Sequence, residues 1–470
     1  MAETYLILSI FVPLIGSFFC LLFPKRIRGF WAAVVVSLSF VFLLFLTVPV
    51  MKGEVVRINL FSQNGGFFSL SFLADGISLI FALVFSFIGI VTLIYSLTYI
   101  KPYDNQKEYY FMATLMISSL VGISFSANLI LLYVFWEVAA LSAWRLYGFF
   151  RGDKEVILAN KAFLLTFLGS SFMLLGFVLI YQAAGTLDLV FLQGQPVPIL
   201  AASFIILGII AKSATLPIHV WMPDAYSGAP SPICALSSAL IAKIGVFAFV
   251  RIFLFTFTIS WNWILWLALI SSLIGAGAAL KEKNIKRIVA YSTVSQVGFI
   301  LLGFALFSKM SLVAGLLYFI IHAVAKAGLF LGVGVVEERY KETDIDKLGG
   351  LMKAMPLAGI GFLFCSLSIM GFPPFGGFYA KLMVVLAMVK EGHFFIAALA
   401  IFVAILTMLY LFRLFNGIFL GEGKLGDGSP GKRRSMVGCV LFLGIISLVI
   451  GIFISQVLGL PNIAVANIFK

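Results

Sequence analysis

The chain has 470 residues, 62% of them hydrophobic and 11% charged, with a mean hydropathy of +1.14 and a formal net charge of +13. Soluble domains carry roughly 25% charged residues, and disordered chains combine high charge with low hydrophobicity, so neither class fits. The apolar runs are continuous and long enough, at roughly 20 residues, to cross a bilayer as helices rather than as alternating barrel strands. The composition is that of an all-α polytopic membrane protein.

Fourteen spans are expected in one transmembrane domain covering residues 1–470, at about 4–23, 30–51, 74–98, 109–126, 128–147, 158–182, 199–217, 231–251, 262–280, 288–306, 311–336, 355–390, 394–416 and 436–458. No soluble domain or long linker intervenes. The first 23 residues lack a basic n-region and an A-x-A cleavage site, so Tyr5–Phe23 reads as a first membrane helix rather than a signal peptide. Numbering the loops in order, the odd ones hold most of the Lys and Arg, including Lys25, Arg26, Arg28, Lys281, Lys283, Lys286, Arg287, Lys432, Arg433 and Arg434. The even loops and the termini hold Lys52, Arg57, Arg251, Lys309, Lys390 and Lys470. By the positive-inside rule the odd loops face the cytoplasm and both termini face out. The basic balance is thereby explained without a nucleic-acid partner.

Span five, NLILLYVFWEVAALSAW, carries Glu137 near its middle. Span seven, in IIAKSATLPIHVWMPDAYSGAPSP, carries Lys212 five residues before Pro217. Span eight carries Lys243. Span eleven, IIHAVAKAGLF, places His322 and Lys326 one turn apart on one helix face. Span twelve, SIMGFPPFGGFYAKLMVV, carries Lys381 after Pro373 and Pro374. A lysine or carboxylate at mid-membrane costs at least ~2.5–3.5 kcal/mol on insertion scales. A single such lysine can serve packing by pairing with a carboxylate or a carbonyl. Four lysines facing one carboxylate cannot all form one-to-one pairs, and lysine loses its proton when desolvated. A row of such groups, linked by His322 and water, is a candidate proton relay.

Prolines interrupt spans seven and twelve, because proline removes a donor and clashes with the preceding turn. Broken backbone at membrane depth is tolerated where it is buried in protein or lines a hydrated cavity, and paired breaks point to an ion site. The two breaks lie five spans apart. Five crossings are odd, so a second copy of a five-helix repeat must be inverted. Spans four to eight (about 109–251) would form one copy and spans nine to thirteen (about 262–416) the other.

Other signals are bland. Cys20, Cys234, Cys365 and Cys439 lie far apart in apolar runs without a CxxC pair, which reads as buried thiols and not as an iron–sulfur site. Gly275–Gly277 and Gly332–Gly334 read as helix-packing positions rather than nucleotide loops. His219 and His393 have no metal-ligand company, although His219, next to the span-seven break, also suits proton uptake.

The stretches FWE, AKSATLPIHVWMPDAYSGAPSP, AYSTVSQVGF, HAVAKAGLF and GFPPFGGFYAK, in this order, resemble the antiporter-like subunits of respiratory complex I. That family includes Mrp sodium/proton antiporter subunits and the membrane arms of group 4 NiFe hydrogenases and formate hydrogenlyases. The resemblance covers about residues 70–420. It implies a fourteen-helix fold with inverted repeats, two half-channels and a polar axis. It makes Glu137 the charged partner of Lys212, Lys243 the linking lysine, His322 and Lys326 the connecting element, and Lys381 the terminal site. Arg145 departs from the family pattern and is either an inner-end anchor or a second partner for Glu137. The chain lacks the lateral helical arm of the longest complex I member.

The resemblance implies a proton-translocating subunit of a multi-subunit redox complex in a prokaryotic plasma membrane. Flavin, iron–sulfur or NiFe centres would belong to partner subunits, with no cofactor in this chain. The alternatives are a subunit of an Mrp-type Na⁺/H⁺ antiporter without a redox partner, an independent solute transporter, and an inert scaffold. The row of charges argues against the scaffold.

Overall fold

A computed structural model describes residues 1–62, 67–259, 261–422 and 434–466. Lys432, Arg433 and Lys470, three of the cations used to orient the chain, lie outside the described residues. The spans follow the expected order. Spans one to six are α1 (Ala2–Leu22), α2 (Lys25–Met51), α3 (Gly76–Tyr99), α4 (Gln106–Phe125), α5 (Leu129–Tyr147) and α6 (Asp153–Ala184). Span seven is split into α7 (Ile199–Ser213) and α8 (Trp221–Gly228). Span eight, Ser231–Thr256, is one continuous rod made of α9 (Ser231–Leu236), a π-helical turn at Ser237–Ile241, α10 (Ala242–Ala248) and a second π-helical stretch at Phe249–Thr256. Spans nine to eleven are α11 (Asn262–Lys281), α12 (Ile285–Ala305) and α13 (Lys309–Tyr340). Span twelve is split into α14 (Pro356–Met370) and α15 (Gly376–Lys390), and α16 (Phe394–Phe419) and α17 (Arg434–Ile452) complete the set.

Twelve of these spans are long and apolar enough to cross a membrane unbroken. The two exceptions are the two that the prolines divide. Span eight, α12 and α13 are almost wholly enclosed, whereas α1, α6, α16 and α17 show most of their surface outward. Lys243, His322 and Lys326 therefore lie on the most enclosed helices.

Three features differ from the sequence reading. A two-stranded antiparallel hairpin, β1 (Val56–Ser62) and β2 (Ser69–Ala74), fills the loop between spans two and three. Span fourteen ends at Ile452 rather than near 458, and the chain continues in short helices α18 (Ile454–Val457) and α19 (Gly459–Ala466). Three cations assigned to loops are buried instead: Arg28, which donates to the Phe23 carbonyl at 2.7 Å, Arg251 and Lys286. Arg251 pairs with Asp75 at the C-terminal end of span eight, and Lys286 pairs with Glu337 at 2.6 Å.

Local chemistry explains both breaks. At span seven, Ala214 adopts a left-handed conformation (φ +50°), and the indole of Trp221 donates to the Ala211 carbonyl at 2.9 Å, satisfying a group that the break frees. At span twelve, Gly371 takes φ +83°, which glycine adopts without a side-chain clash. A Cβ on Gly377 would lie 1.7 Å from the Ser368 carbonyl oxygen, so the two half-helices meet only because that position lacks one. Both breaks carry a cis proline bond, Leu216–Pro217 and Pro373–Pro374.

Two matching clamps hold the bundle. Asn128 caps α5 by accepting from the Ile130 and Leu131 amides and bridges to Asp188 after span six. Asn284 caps α12 by accepting from the Lys286 and Arg287 amides and bridges to Asp344 after span eleven. The backbone bonds match as well: Leu129 N to Leu187 O at 2.9 Å and Leu189 N to Ala127 O at 2.8 Å correspond to Ile285 N to Thr343 O at 2.8 Å and Ile345 N to Lys283 O at 2.9 Å. The clamps lie five spans apart, at opposite ends of the bundle.

The four cysteines are buried and free. Gly275 packs α11 tightly on Ser295 of α12, and Gly332 and Gly334 also sit in close contacts, but Gly277 faces open space.

Candidate functional site

Lys212, Lys243, His322, Lys326 and Lys381 are all buried, at 5% exposure or less. The elements that carry them bring Lys243, His322, Lys326 and Lys381 within electrostatic reach of one another and set Lys212 beside Glu137. Lys212 ends α7 just before its break. Its ammonium lies 5.4 Å from the centre of the Trp136 ring, a cation–π contact that partly replaces lost hydration. Beside it, a cavity lined by Tyr147, Thr166 and Trp221 leaves about 10 Å³ for water centres, on the order of a single water. Glu137, next to Trp136 in sequence, is the acidic group whose charge acts on Lys212. No nitrogen–oxygen contact within 4.0 Å joins Glu137 and Lys212, so this is an open pair. Glu137 is itself half-buried, and its Oε1 is enclosed without a hydrogen-bond partner.

Lys243 follows the first π-helical turn and donates to the Ser238 carbonyl within it. The Ser238 hydroxyl pairs with Thr293 at 2.7 Å, and Thr293 donates to the Val289 carbonyl at 3.0 Å. Lys326 donates to that same carbonyl at 3.1 Å and to the Ser292 hydroxyl at 2.6 Å. Ser292 pairs with the Tyr410 hydroxyl at 2.8 Å, Gln296 donates to Tyr410 at 3.3 Å, and Tyr318 donates to the Gln296 side-chain oxygen. The Lys381 ammonium lies over the rings of Tyr318 (5.7 Å) and Phe299 (5.4 Å) and has no hydrogen-bond partner. Polar groups thus run without a gap from Lys243 to Tyr318, with Lys381 on the ring at the far end.

His322 sits inside this arrangement. Both of its ring nitrogens are buried without a partner, its ring meets that of Tyr318 edge-on at 6.0 Å, and the charges of Lys243, Lys326 and Lys381 all act on it. Buried polar atoms are rarely left unpaired, and ordered water is the usual partner where protein supplies none.

The neutral groups of the network, Ser238, Ser292, Thr293, Gln296, Tyr318 and Tyr410, are not among the residues expected from the sequence. Ser292, Thr293 and Gln296 lie in the AYSTVSQVGF stretch, so a signal was present. The structure separates the remaining candidates from the row. Arg145 pairs with Glu108 on α4, which Arg151 also holds at 2.7 Å, and no ion pair joins Arg145 to Glu137. His219 lies in the span-seven break, half-buried, between the exposed Pro217 and Val220. His393 stands half-buried at the start of α16. Among the described residues, no group of three or more His, Cys, Asp or Glu is placed to hold a metal ion.

Residues 126–407 match the transmembrane family described as NADH:quinone oxidoreductase/Mrp antiporter. The chain belongs to this family. Among its relatives, a Na⁺/H⁺ antiporter subunit of Alkalihalophilus pseudofirmus is 30% identical over 99% of this chain and 61% of its own length. The chain therefore spans about three fifths of that relative. The NADH-quinone oxidoreductase subunit N of Desulforudis audaxviator is 31% identical over 80% of each chain. A chain of the Mrp complex of Dietzia sp. DQ12-45-1b superposes with a TM-score of 0.90 at 26% identity, covering 99% of this chain and 98% of that one.

Proposed function

We infer that this chain is the proton-translocating, antiporter-like membrane subunit of a multi-subunit redox complex. The observation that carries the reading is the run of polar groups from Lys243 to Tyr318, with the Lys381 ammonium over the Tyr318 ring at one end, together with the open Glu137–Lys212 pair. In this reading Glu137 approaches Lys212 and favours its protonated form. When the two separate, the lysine releases its proton toward Lys243. Lys243, His322 and Lys326 pass it on, and Lys381 is the terminal site. A redox step in partner subunits biases the Glu137–Lys212 pair, and the redox centres belong to those partners.

The matched clamps at Asn128–Asp188 and Asn284–Asp344 support two inverted five-helix repeats within a single domain. An even number of crossings and the excess of Lys and Arg in the odd-numbered loops support an orientation with both termini on the outer face of a prokaryotic plasma membrane. A second reading, a subunit of a cation/proton antiporter without a redox partner, is favoured by the near-complete coverage of this chain by the antiporter relative and by the Mrp-complex chain.

Lys212→Ala and Glu137→Gln test the mechanism in the assembled complex reconstituted in vesicles. Both are expected to lower driven proton transport while assembly persists. Full transport with either change would falsify it. Mass spectrometry of what co-purifies from gently solubilised membranes separates the two readings: redox subunits support the first, and small membrane subunits without them support the second.

A further inference from the structure

Lys243, Phe247, Arg251 and Phe255 follow one another at intervals of four along span eight. Arg251 is only 4% exposed. Its guanidinium grips Asp75 with two nitrogens, at 2.6 and 2.8 Å, and donates to the Ser78 hydroxyl at 2.7 Å. It also lies over the rings of Phe247 (5.7 Å) and Phe255 (5.8 Å), and its Nε is buried without a partner.

Beyond this pair, at the end of the bundle that carries the even-numbered loops, lies a cavity of about 170 Å³. It has room for several waters. Asp75, Arg251, Gln193 and Thr256 supply its polar wall, and Ala464 of α19 supplies part of its roof. That roof is seated closely, since a Cβ on Gly76 would come within 2.6 Å of the Ala464 Cα. On the inner side of the pair the chemistry changes. Phe247 packs on Phe81 with ring centres 5.0 Å apart, and Phe81 stacks on Phe319 at 4.0 Å. Phe319 precedes His322 by three residues on α13. From the outside inward the order is cavity, ion pair, three packed rings, and then Lys243 with His322.

We propose that the cavity is the outer vestibule of a second, normally closed exit that leaves the relay at Lys243, in addition to the terminal site at Lys381, with Phe81, Phe247 and Phe319 as its dry gate and Asp75–Arg251 as its latch. The proposal rests on the proton-relay reading and on the orientation given with it. A ring of apolar side chains closes a pore by excluding water. A buried, bidentate ion pair holds its helices in register and is costly to break by removing one partner. With the latch intact, Arg251 keeps Phe247 over the axis. When span eight shifts, cavity water reaches Lys243, and the proton that leaves its ammonium passes to that water and out.

The test uses the assembled complex in vesicles without turnover, with an imposed potential driving passive proton flux. Phe247→Ala is expected to raise that flux several-fold, and adding Lys243→Ala is expected to return it to the parent level. An unchanged flux in Phe247→Ala overturns the proposal, as does a raised flux that persists without Lys243. Cysteine labelling gives a second, independent reading. A membrane-impermeant charged thiol reagent added outside is expected to modify Val190→Cys in the cavity wall in every background. It should modify Phe247→Cys only together with Asp75→Asn. Labelling of Val190→Cys with none at Phe247→Cys in the Asp75→Asn background overturns the latch. If these tests fail while Lys212→Ala still blocks driven transport, the exit is wrong and the relay stands. If Lys212→Ala transports normally, the relay falls and takes the exit with it.

Discussion

At the scale of single residues, the choice of lysine over arginine is informative. Both carry the charge that Trp136, Phe299 and Tyr318 face, but arginine does not give up its proton in a protein. Lys326→Arg therefore keeps the charge and a donor for Ser292 and the Val289 carbonyl while removing the titration. We expect the complex to assemble and driven transport to fall on the order of a hundredfold, the lower range for a positioned proton-transfer group, read as vesicle acidification per electron transferred or per cation exchanged. Full transport would make Lys326 a packing residue. The charged members of the row were legible because charge at membrane depth is rare and costly. The hydroxyls and Gln296 were not, because Ser, Thr and Tyr occur throughout these helices and only the three-dimensional pairing selects Ser292 and Tyr410 from the rest. Arg145 shows the converse. Its spacing from Glu137 is compatible with a shared face, yet Glu108 on the neighbouring helix claims it.

At the scale of elements, proline and glycine made the two breaks readable, but not how closely the half-helices meet. Gly377→Ala drives a methyl into the Ser368 carbonyl, a backbone contact that cannot rotate away. It should displace α15 and with it Lys381, lowering both thermal stability and transport; a variant with the parent's melting temperature and activity would show that the join is loose. The clamps behave differently. Asn128→Ala and Asn284→Ala each remove a side chain that accepts from two helix amides, at a cost of about 1 kcal/mol apiece. Equal losses in detergent unfolding are expected if the clamps are equivalent, and a strongly unequal pair would count against the repeat. Asn284 lies between Lys283 and Ile285, as Asn128 lies between Ala127 and Leu129, so the caps were visible, but their partners 60 residues on, Asp344 and Asp188, became apparent only when the bridges formed. The π-helical turns of span eight left no mark in an apolar sequence. The first of them holds the Ser238 carbonyl to which the Lys243 ammonium donates.

At the scale of the whole molecule, the span count and order followed from hydropathy because a bilayer forces every spanning segment to satisfy its own backbone. The hairpin and the Asp75–Arg251 pair lay outside that logic, since neither is an apolar run. One surface remains to be accounted for. Glu137 is half-buried, and Val134 and Leu141, on the same face of α5, are 46% and 49% exposed. A carboxylate turned toward lipid would be as costly as the buried lysines, so this face of α5 requires protein cover. Cover by a neighbouring membrane subunit would also give a redox or transport event elsewhere in a complex a direct mechanical route to the Glu137–Lys212 pair. The expectation is that a photoreactive group at Val134→Cys captures a partner subunit in the intact complex, whereas one at Phe402→Cys on the outward-facing α16, 48% exposed, captures lipid. Capture of lipid alone at Val134 would leave Glu137 without a partner's control and would require the pair to be driven from within this chain.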